Sequence, residues 1–318
     1  MKYLKTNIIA LAVAGTLSPT TSIAEDDWVT LYGKINVTMD KIDQDGGDDQ
    51  WELNSNASRI GVKGKGAAGD GFEAFYQLEW EVDVADNSGS DNIKSRNQII
   101  GVRGSFGEVF LGRHDTPTKK LQKKIDIFSD LTGDIKKSFN GEKRASDIIQ
   151  YSTPKMSGFK AKVAFIPGED TGVNDGLADG TSIALEYGMK NLDLGISFDA
   201  DVEGEGIDTT RFIAQYKLND WRFGFMYQTT DNNDLDGDGL MASAKYIMGD
   251  NAFKLQVIES DVWEADVSSK VKYSSQVSLG WDHKLGKKLT ASTYLTLGEE
   301  GATKNDDSIF GVGLVLKF

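Results

Sequence analysis

WRFGFMYQ, residues 221–228, decides the fold class. Trp221, Phe223, Phe225 and Tyr227 recur at every second position, and Arg222, Gly224, Met226 and Gln228 fill the positions between. A strand sends successive side chains to opposite faces, so this segment has one greasy face and one chemically mixed face. The pattern returns at residues 271–282, where Val271, Tyr273, Val277, Leu279 and Trp281 oppose Lys272, Ser274, Gln276, Ser278 and Asp282. Phe72, Ala74, Tyr76, Leu78 and Trp80 oppose Glu73, Gln77 and Glu79, and the chain ends on the apolar row Phe310, Val312, Leu314, Leu316 and Phe318. Each segment runs to about ten residues, which suits a tilted strand crossing a bilayer and exceeds the ~5–6 residues of an average soluble strand.

Working outward, sixteen such segments can be counted, the first at 28–40 and the last at 307–318. The connections between them alternate in length. Short ones fall near 66–70, 105–107, 154–158, 189–191, 218–220, 249–251 and 285–287; long ones fall near 41–50, 85–92, 114–144, 167–180, 202–206, 231–238, 261–269 and 299–306. An antiparallel up-and-down barrel places alternate connections at opposite ends, so one rim carries tight turns and the other long loops. In hydrocarbon no edge strand can leave its N–H and C=O groups unpaired, so a spanning sheet must close. The expected architecture is therefore all-β, a transmembrane antiparallel barrel of about sixteen strands occupying residues 25–318 as one domain.

Composition agrees with this. The 318 residues include 35 Gly, 4 Pro and no Cys, which removes disulfide frameworks, Cys-ligated zinc and thiol catalysis together. No stretch after residue 24 supplies the ~20 consecutive apolar residues of a membrane helix. Residues 1–24 read as a cleavable signal peptide: Lys2 and Lys5, an apolar run from Ile8 to Leu17, then small residues at Ser22 and Ala24. The formal charge of −14 becomes −16 once Lys2 and Lys5 leave with that leader. A nucleic-acid partner needs a basic footprint and is disfavoured.

A barrel of this strand number is too wide for wall side chains to fill, so it is hollow unless something enters it. The longest connection, 114–144, holds Thr116-Pro117, an N-cap and first-turn pair, followed by Leu121, Ile125 and Phe128 at helical spacing. Such a loop can lay its apolar stripe on the inner wall and narrow the bore; the alternative is a loop resting on the outer rim. Period-two parity sends Arg59 and Lys63 inward if Ile60 and Val62 face lipid, and Lys34 inward if Leu31 and Ile35 face lipid. Arg144 has opposite parity to Ile149 and Tyr151. Around Arg96 the adjacent Ile99 and Ile100 leave the facing ambiguous.

The chain resembles the general porins of the Gram-negative outer membrane, of the sixteen-stranded trimeric kind. The residues that carry the resemblance are VTLYGKINVT at 29–38, SRIGVKG at 58–64, GFEAFYQLEWEV at 71–82, GVRGSFGEVFLGRHDT at 101–116, RASDIIQYSTP at 144–154 and the terminal Phe318. They span essentially the whole mature sequence. The resemblance implies a homotrimer in the outer membrane, surrounded by lipid and lipopolysaccharide, passing small hydrophilic solutes and ions by passive diffusion without a cofactor. It further implies a constriction where the third loop, 114–144, folds into the lumen, its acidic residues facing basic wall residues. The matching wall positions are Lys34, Arg59, Arg96 and Arg144, with Lys63 added by parity, and Asp126, Asp130 and Asp134 are the loop acids. Phe318 resembles the terminal aromatic read by the barrel assembly machinery. The family's Pro-Glu-Phe-Gly type motif is absent, and Lys119, Lys120, Lys123, Lys124, Lys136 and Lys137 make the loop unusually basic, which leaves ion preference open.

Other classes find little support. The two histidines, His114 and His283, have no serine motif around them, so an enzyme is not expected. Asp234, Asp236 and Asp238 match the first half of a calcium loop, but the twelfth position is Lys245 where a bidentate Glu is needed, so this is at most a weak divalent-cation candidate. A solute-selective channel on the same barrel, and a non-conducting adhesive or structural barrel, are the remaining alternatives.

Overall fold

The structure is a computed structural model that describes residues 27–318 apart from 46, 87–91, 170–175, 234 and 267–269. The expected signal peptide, residues 1–24, lies outside the described residues. Seventeen strand segments follow one another: β1 (Asp27–Gln44), β2 (Gln50–Ser55), β3 (Arg59–Ala67), β4 (Glu73–Val82), β5 (Ile93–Gly104), β6 (Gly107–Asp115), β7 (Arg144–Ser152), β8 (Phe159–Ile166), β9 (Gly180–Gly188), β10 (Leu192–Ala200), β11 (Ile207–Leu218), β12 (Trp221–Asn232), β13 (Leu235–Met248), β14 (Asn251–Ser260), β15 (Tyr273–Lys284), β16 (Leu289–Glu300) and β17 (Asp306–Lys317). Each pairs antiparallel with its neighbours in one sheet, and β1 pairs with β17 from Lys34↔Lys317 to Gln44↔Asp307, so the sheet closes on itself. β2 and β3 both pair with β1 and are separated only by 56–58, where Ala57 sits at φ 50°. They form one stave, and the barrel has sixteen.

The alternation read from the sequence becomes two skins. On β12, Phe225 is 41% exposed to the outside and Met226 is 0% exposed. The outer belt continues through Leu31, Ile100, Leu185, Phe212, Leu255, Leu279 and Val312, all exposed as a lipid-facing surface requires. Inside lie Asn36, Thr38, Gln215, Gln228, Ser243, Gln256 and Gln276.

The expectation of a long connection at 231–238 is corrected. β12 and β13 stay paired out to Asn232↔Leu235, through Thr229↔Asp238 and Asp231↔Asp236. Polar, acidic strand residues read as loop in a pattern built on apolar alternation, yet a hairpin can hold them in register by backbone bonds alone. Asp236 and Asp238 lie in an extended ladder, Asp234 is outside the described residues, and among the described residues no group of three His, Asp or Glu converges on a cation position.

Candidate functional site

The loop 116–143 leaves β6 and is seated against the inner wall. Thr116 caps a short helix, α1 (Pro117–Leu121), its hydroxyl accepting from Lys119 N at 3.3 Å. The chain continues through turns to a single 3-10 turn at Ile135–Lys137. The helical spacing of Leu121, Ile125 and Phe128 thus does not become one helix, but the apolar stripe does what it implied. Leu121, Ile125, Ile135 and Phe139 pack with Ala184, Ile213, Met226, Met241 and Ile258 of the wall and with Val262 of the connection that follows β14. Phe128 packs with Tyr294 and Ile309. Burying each large side chain contributes roughly 1.5–3 kcal/mol. Gly195 and Gly224 make the close approach possible: a Cβ on Gly195 would meet Leu121 Cδ1 at 2.3 Å, and one on Gly224 would meet Ile125 Cβ at 2.8 Å.

A buried loop must satisfy its backbone, and the inner wall does this with amides and hydroxyls. Gln256 accepts from Ile127 N at 3.1 Å and donates to Gly133 O at 2.9 Å. Ser243 Oγ donates to Ile125 O at 2.6 Å, Ser260 Oγ to Ser138 O at 2.9 Å, and Gln276 Nε2 to Thr132 O at 3.2 Å. The strongest clamp is Arg211, a fully buried side chain. Its guanidinium donates to Glu142 Oε1 at 2.8 Å, to Asn140 O at 2.7 Å and to Gln228 Oε1 at 2.8 Å.

The expected site residues divide by what they touch. Lys34 Nζ and Arg59 Nη2 both reach Asp130 Oδ2, at 2.5 Å and 3.4 Å, which joins wall to loop across the bore. Burial favours the neutral acid at Asp130, but the adjacent Lys34 and Arg59 outweigh it and hold its carboxyl below the usual range. Asp126 and Asp134 make no ion pair with the wall cations among the described residues, although Asp134 borders the same space. Asp126 accepts from Phe128 N at 3.1 Å and Ile135 N at 3.4 Å; Asp134 accepts from Asp130 N at 2.8 Å and Lys136 N at 2.9 Å. They fold the loop. Burial and the neighbouring Asp134 push the Asp126 carboxyl well up.

Arg96 owes its lumen position to a bulge. Gln98 pairs with Leu78 and Ser95 with Trp80, so Arg96 and Asn97 together stand opposite Glu79. The extra residue resolves the ambiguity around Ile99 and Ile100. Arg96 binds Glu79 at 2.8 Å and Glu81 at 2.6 Å, and Asn97 accepts from Arg144 Nε at 2.8 Å. Arg144 also ion-pairs with Asp115 at 2.9 Å. Parity counted from Ile149 does not place Arg144, because the register shifts between Gly112 and His114 against β7; its contacts do. Lys63 stands apart, its ammonium over the Tyr32 ring at 5.2 Å, in the half of the bore nearer the tight turns.

Arg59, Arg96 and Arg144 face the loop's Lys119, Lys120, Lys123 and Lys136 across a water-accessible space of about 570 Å³, with Glu81, Asp115, Asp130, Asp134 and Glu142 as the acids. Seven cations therefore meet five carboxylates, with cations on both sides. Sequence reasoning did not find Arg211, Glu142 or Asp115. Arg211 shares parity with Thr209 and Ile213, which marks it as inward, but nothing local marks it as the loop's anchor.

A family model described as Gram-negative porin matches residues 10–308. Outer membrane porin protein 32 of Delftia acidovorans is 28% identical over 316 residues, covering 90% of this chain and 87% of that protein. Major outer membrane protein P.IA of Neisseria meningitidis is 27% identical over 262 residues, covering 80% of this chain and 60% of that protein. Among solved structures, an anion-selective porin from Comamonas acidovorans superposes with a TM-score of 0.74 at 20% identity, over 91% of this chain and 99% of that one. OmpF of Salmonella typhi superposes with a TM-score of 0.71 at 14% identity, over 92% and 98%. With its closed barrel, greasy exterior and wet bore, the chain belongs to the Gram-negative porin family and is an outer-membrane diffusion channel for small hydrophilic solutes and ions.

Proposed function

We propose that this channel favours small anions, that residues 114–144 form its constriction with Lys34, Arg59, Arg96, Arg144 and Asp130 setting the local field, and that it works as a homotrimer. The observation that carries the anion preference is the excess of cationic over acidic side chains where the loop crosses the bore, with Lys120 making no ion pair among the described residues. A ring of fixed positive charge concentrates anions and repels cations. The similarity to the anion-selective porin from Comamonas acidovorans supports the same reading. The trimer is carried by the resemblance to trimeric porins. The experiment is a planar-bilayer recording in a KCl gradient, where the zero-current potential takes the sign of chloride permeation. A cation sign refutes the preference, and graded block by one neutral sugar would favour a solute-selective channel.

Glu142 makes the preference pH-dependent. Burial raises its carboxyl to about 7, against the opposing pull of Arg211 and Lys119. Falling pH therefore removes a negative charge from the space that Arg144 also borders, and chloride preference is expected to rise between pH 8 and pH 6; Glu142→Gln is expected to be flat there. The sign for loop docking follows from the same raised value. The seated loop binds this proton more tightly than a free one with the ordinary 4.5, so seating is strongest below 4.5 and weakens as pH rises through 7.

Phe318 is proposed as the signal read by the assembly machinery. Its backbone pairs with Gly33 in both directions, at 3.0 Å and 3.2 Å, and its ring lies on the outer surface, 44% exposed. Phe318→Ala is expected to lower the folded, heat-modifiable fraction in cells severalfold while detergent refolding proceeds as in the parent. Equal losses in both would make the residue purely structural.

A further inference from the structure

Inward-facing positions of a wet bore are expected to be polar unless something covers them. Two of the three buried apolar clusters obey this, because loop side chains occupy them: Leu121, Ile125, Ile135 and Phe139 in one, Phe128 in the other. The third holds no residue of the loop. It consists of Ile99, Phe110, Ala145, Ile148 and Ala164, with Phe75 and Ile166 packed against it. Phe75, Ile99 and Phe110 line a space of about 630 Å³ toward the tight-turn end of the bore, a volume within the ~300–1,000 Å³ of small-molecule sites. Phe75 has the parity of Gln77 and Glu79, so its ring stands on the lumen side. It is held there by the missing side chain of Gly101, whose Cβ would meet Phe75 Cζ at 2.5 Å. Arg103 lies over the ring with its guanidinium carbon 5.3 Å from the centroid.

The rest of that space is basic. Lys63, Lys65, Arg103, Lys120, Lys160 and Lys162 surround it, against Asp27 and Glu108. Lys65, Arg103 and Lys162 are occupied by Glu73 or Glu186. Lys63, Lys120 and Lys160 have no carboxylate partner among the described residues. An aromatic floor beside unpaired ammonium groups matches a ligand with a planar apolar body and one negative charge.

We propose that this inner half of the bore is a binding station for aryl carboxylates, with the ring against Phe75 and the carboxylate among Lys63, Lys120 and Lys160. The proposal rests on the anion-favouring reading of the channel and adds a solute class to it. Stacking on Phe75 and the nearby cations supply attraction, while the open, water-filled surroundings keep it weak enough for release, as transport requires.

The test is block of chloride current through single channels by benzoate and by acetate, added to either side. Wild-type channels are expected to be half-blocked by benzoate at a concentration about tenfold below that for acetate, with saturation. In Phe75→Ser that ratio is expected to fall to near one, and in Phe75→Leu, which keeps an apolar group over Gly101, about threefold. Equal half-block concentrations for the two anions in wild type, or a ratio that survives Phe75→Ser, would overturn the station. The zero-current potential of the same channels separates the two ideas: an anion sign without benzoate preference sinks only the station, and a cation sign sinks the reading beneath it.

Discussion

Arg211→Met is expected to unseat the loop while leaving the barrel folded. The side chain is fully buried and is the cation nearest to Glu142, at 2.8 Å. Removing the guanidinium lets the Glu142 carboxyl, already raised to about 7, protonate, and takes from Gln228 Oε1, Asn140 O and Glu142 Oε1 the donor they share, a buried unsatisfied acceptor costing roughly 1–3 kcal/mol. That cost falls on the seating of 116–143 and not on the strands, whose ladder bonds from β10 through β12 do not involve the guanidinium. The expected result is a larger and noisier single-channel conductance, and tryptic cleavage within the Lys-rich loop where the parent resists. Arg211→Lys keeps the charge but loses the planar fork that also holds Asn140 O, and is expected to fall between. Adding Glu142→Gln to Arg211→Met is expected to recover little seating, because without its cation the buried carboxyl is already protonated at neutral pH, and the double-mutant cycle measures the coupling directly. Parent-like conductance and protease resistance in Arg211→Met would show that the apolar stripe alone seats the loop.

The same residues show where sequence reading reaches its limit. Period-two alternation places Gly224, Met226 and Gln228 on one face without any structural information, and that face is the inner one. It does not say that Met226 sits under Phe139 and its neighbours while Gln228 helps hold Asn140 O, because the loop that covers them is 88 residues away from Gln228 in sequence. Yet a clue is present: Ile213, Met226, Met241 and Ile258 are apolar at lumen parity, and four such exceptions clustered on adjacent strands mark a seat. Parity itself fails only at bulges. The extra residue at Arg96–Asn97 and the register shift near Asp147, at φ 57°, move side chains across the wall, and no single-strand pattern announces an inserted residue. The loop acids illustrate the other limit. Spacing of four put Asp126, Asp130 and Asp134 on one helical face, but the helix stops at Leu121, and two of the three are consumed as acceptors for loop N–H groups.

Neutralising Arg59 and Arg144 together is expected to move the channel strongly toward cations. Both guanidiniums are partly exposed to the bore, at 23% and 15%, and they border the same water-accessible space. A unit charge ~6 Å from a permeating ion in water contributes ~0.7 kcal/mol, so removing two costs chloride ~1.4 kcal/mol and favours potassium by the same amount, ~2.8 kcal/mol in the balance and about a hundredfold in the chloride-to-potassium permeability ratio. Asp130 keeps Lys34 at 2.5 Å in Arg59→Ser, so its charge persists and the whole change reads as lost positive field. Asp130→Asn is expected to act in the opposite direction, since it frees Lys34 and Arg59 from the loop carboxylate they share. Both shifts should shrink in concentrated salt, where the screening length drops from ~10 Å at 0.1 M to ~3 Å at 1 M, because charges at the edge of the bore then fall outside an ion's reach. Zero-current potentials in KCl gradients at low and high mean salt measure all of this. Unchanged potentials in Arg59→Ser/Arg144→Ser at low salt would place the selectivity-determining charges elsewhere along the bore, with Lys63, Lys120 and Lys160 of its inner half the next group to neutralise.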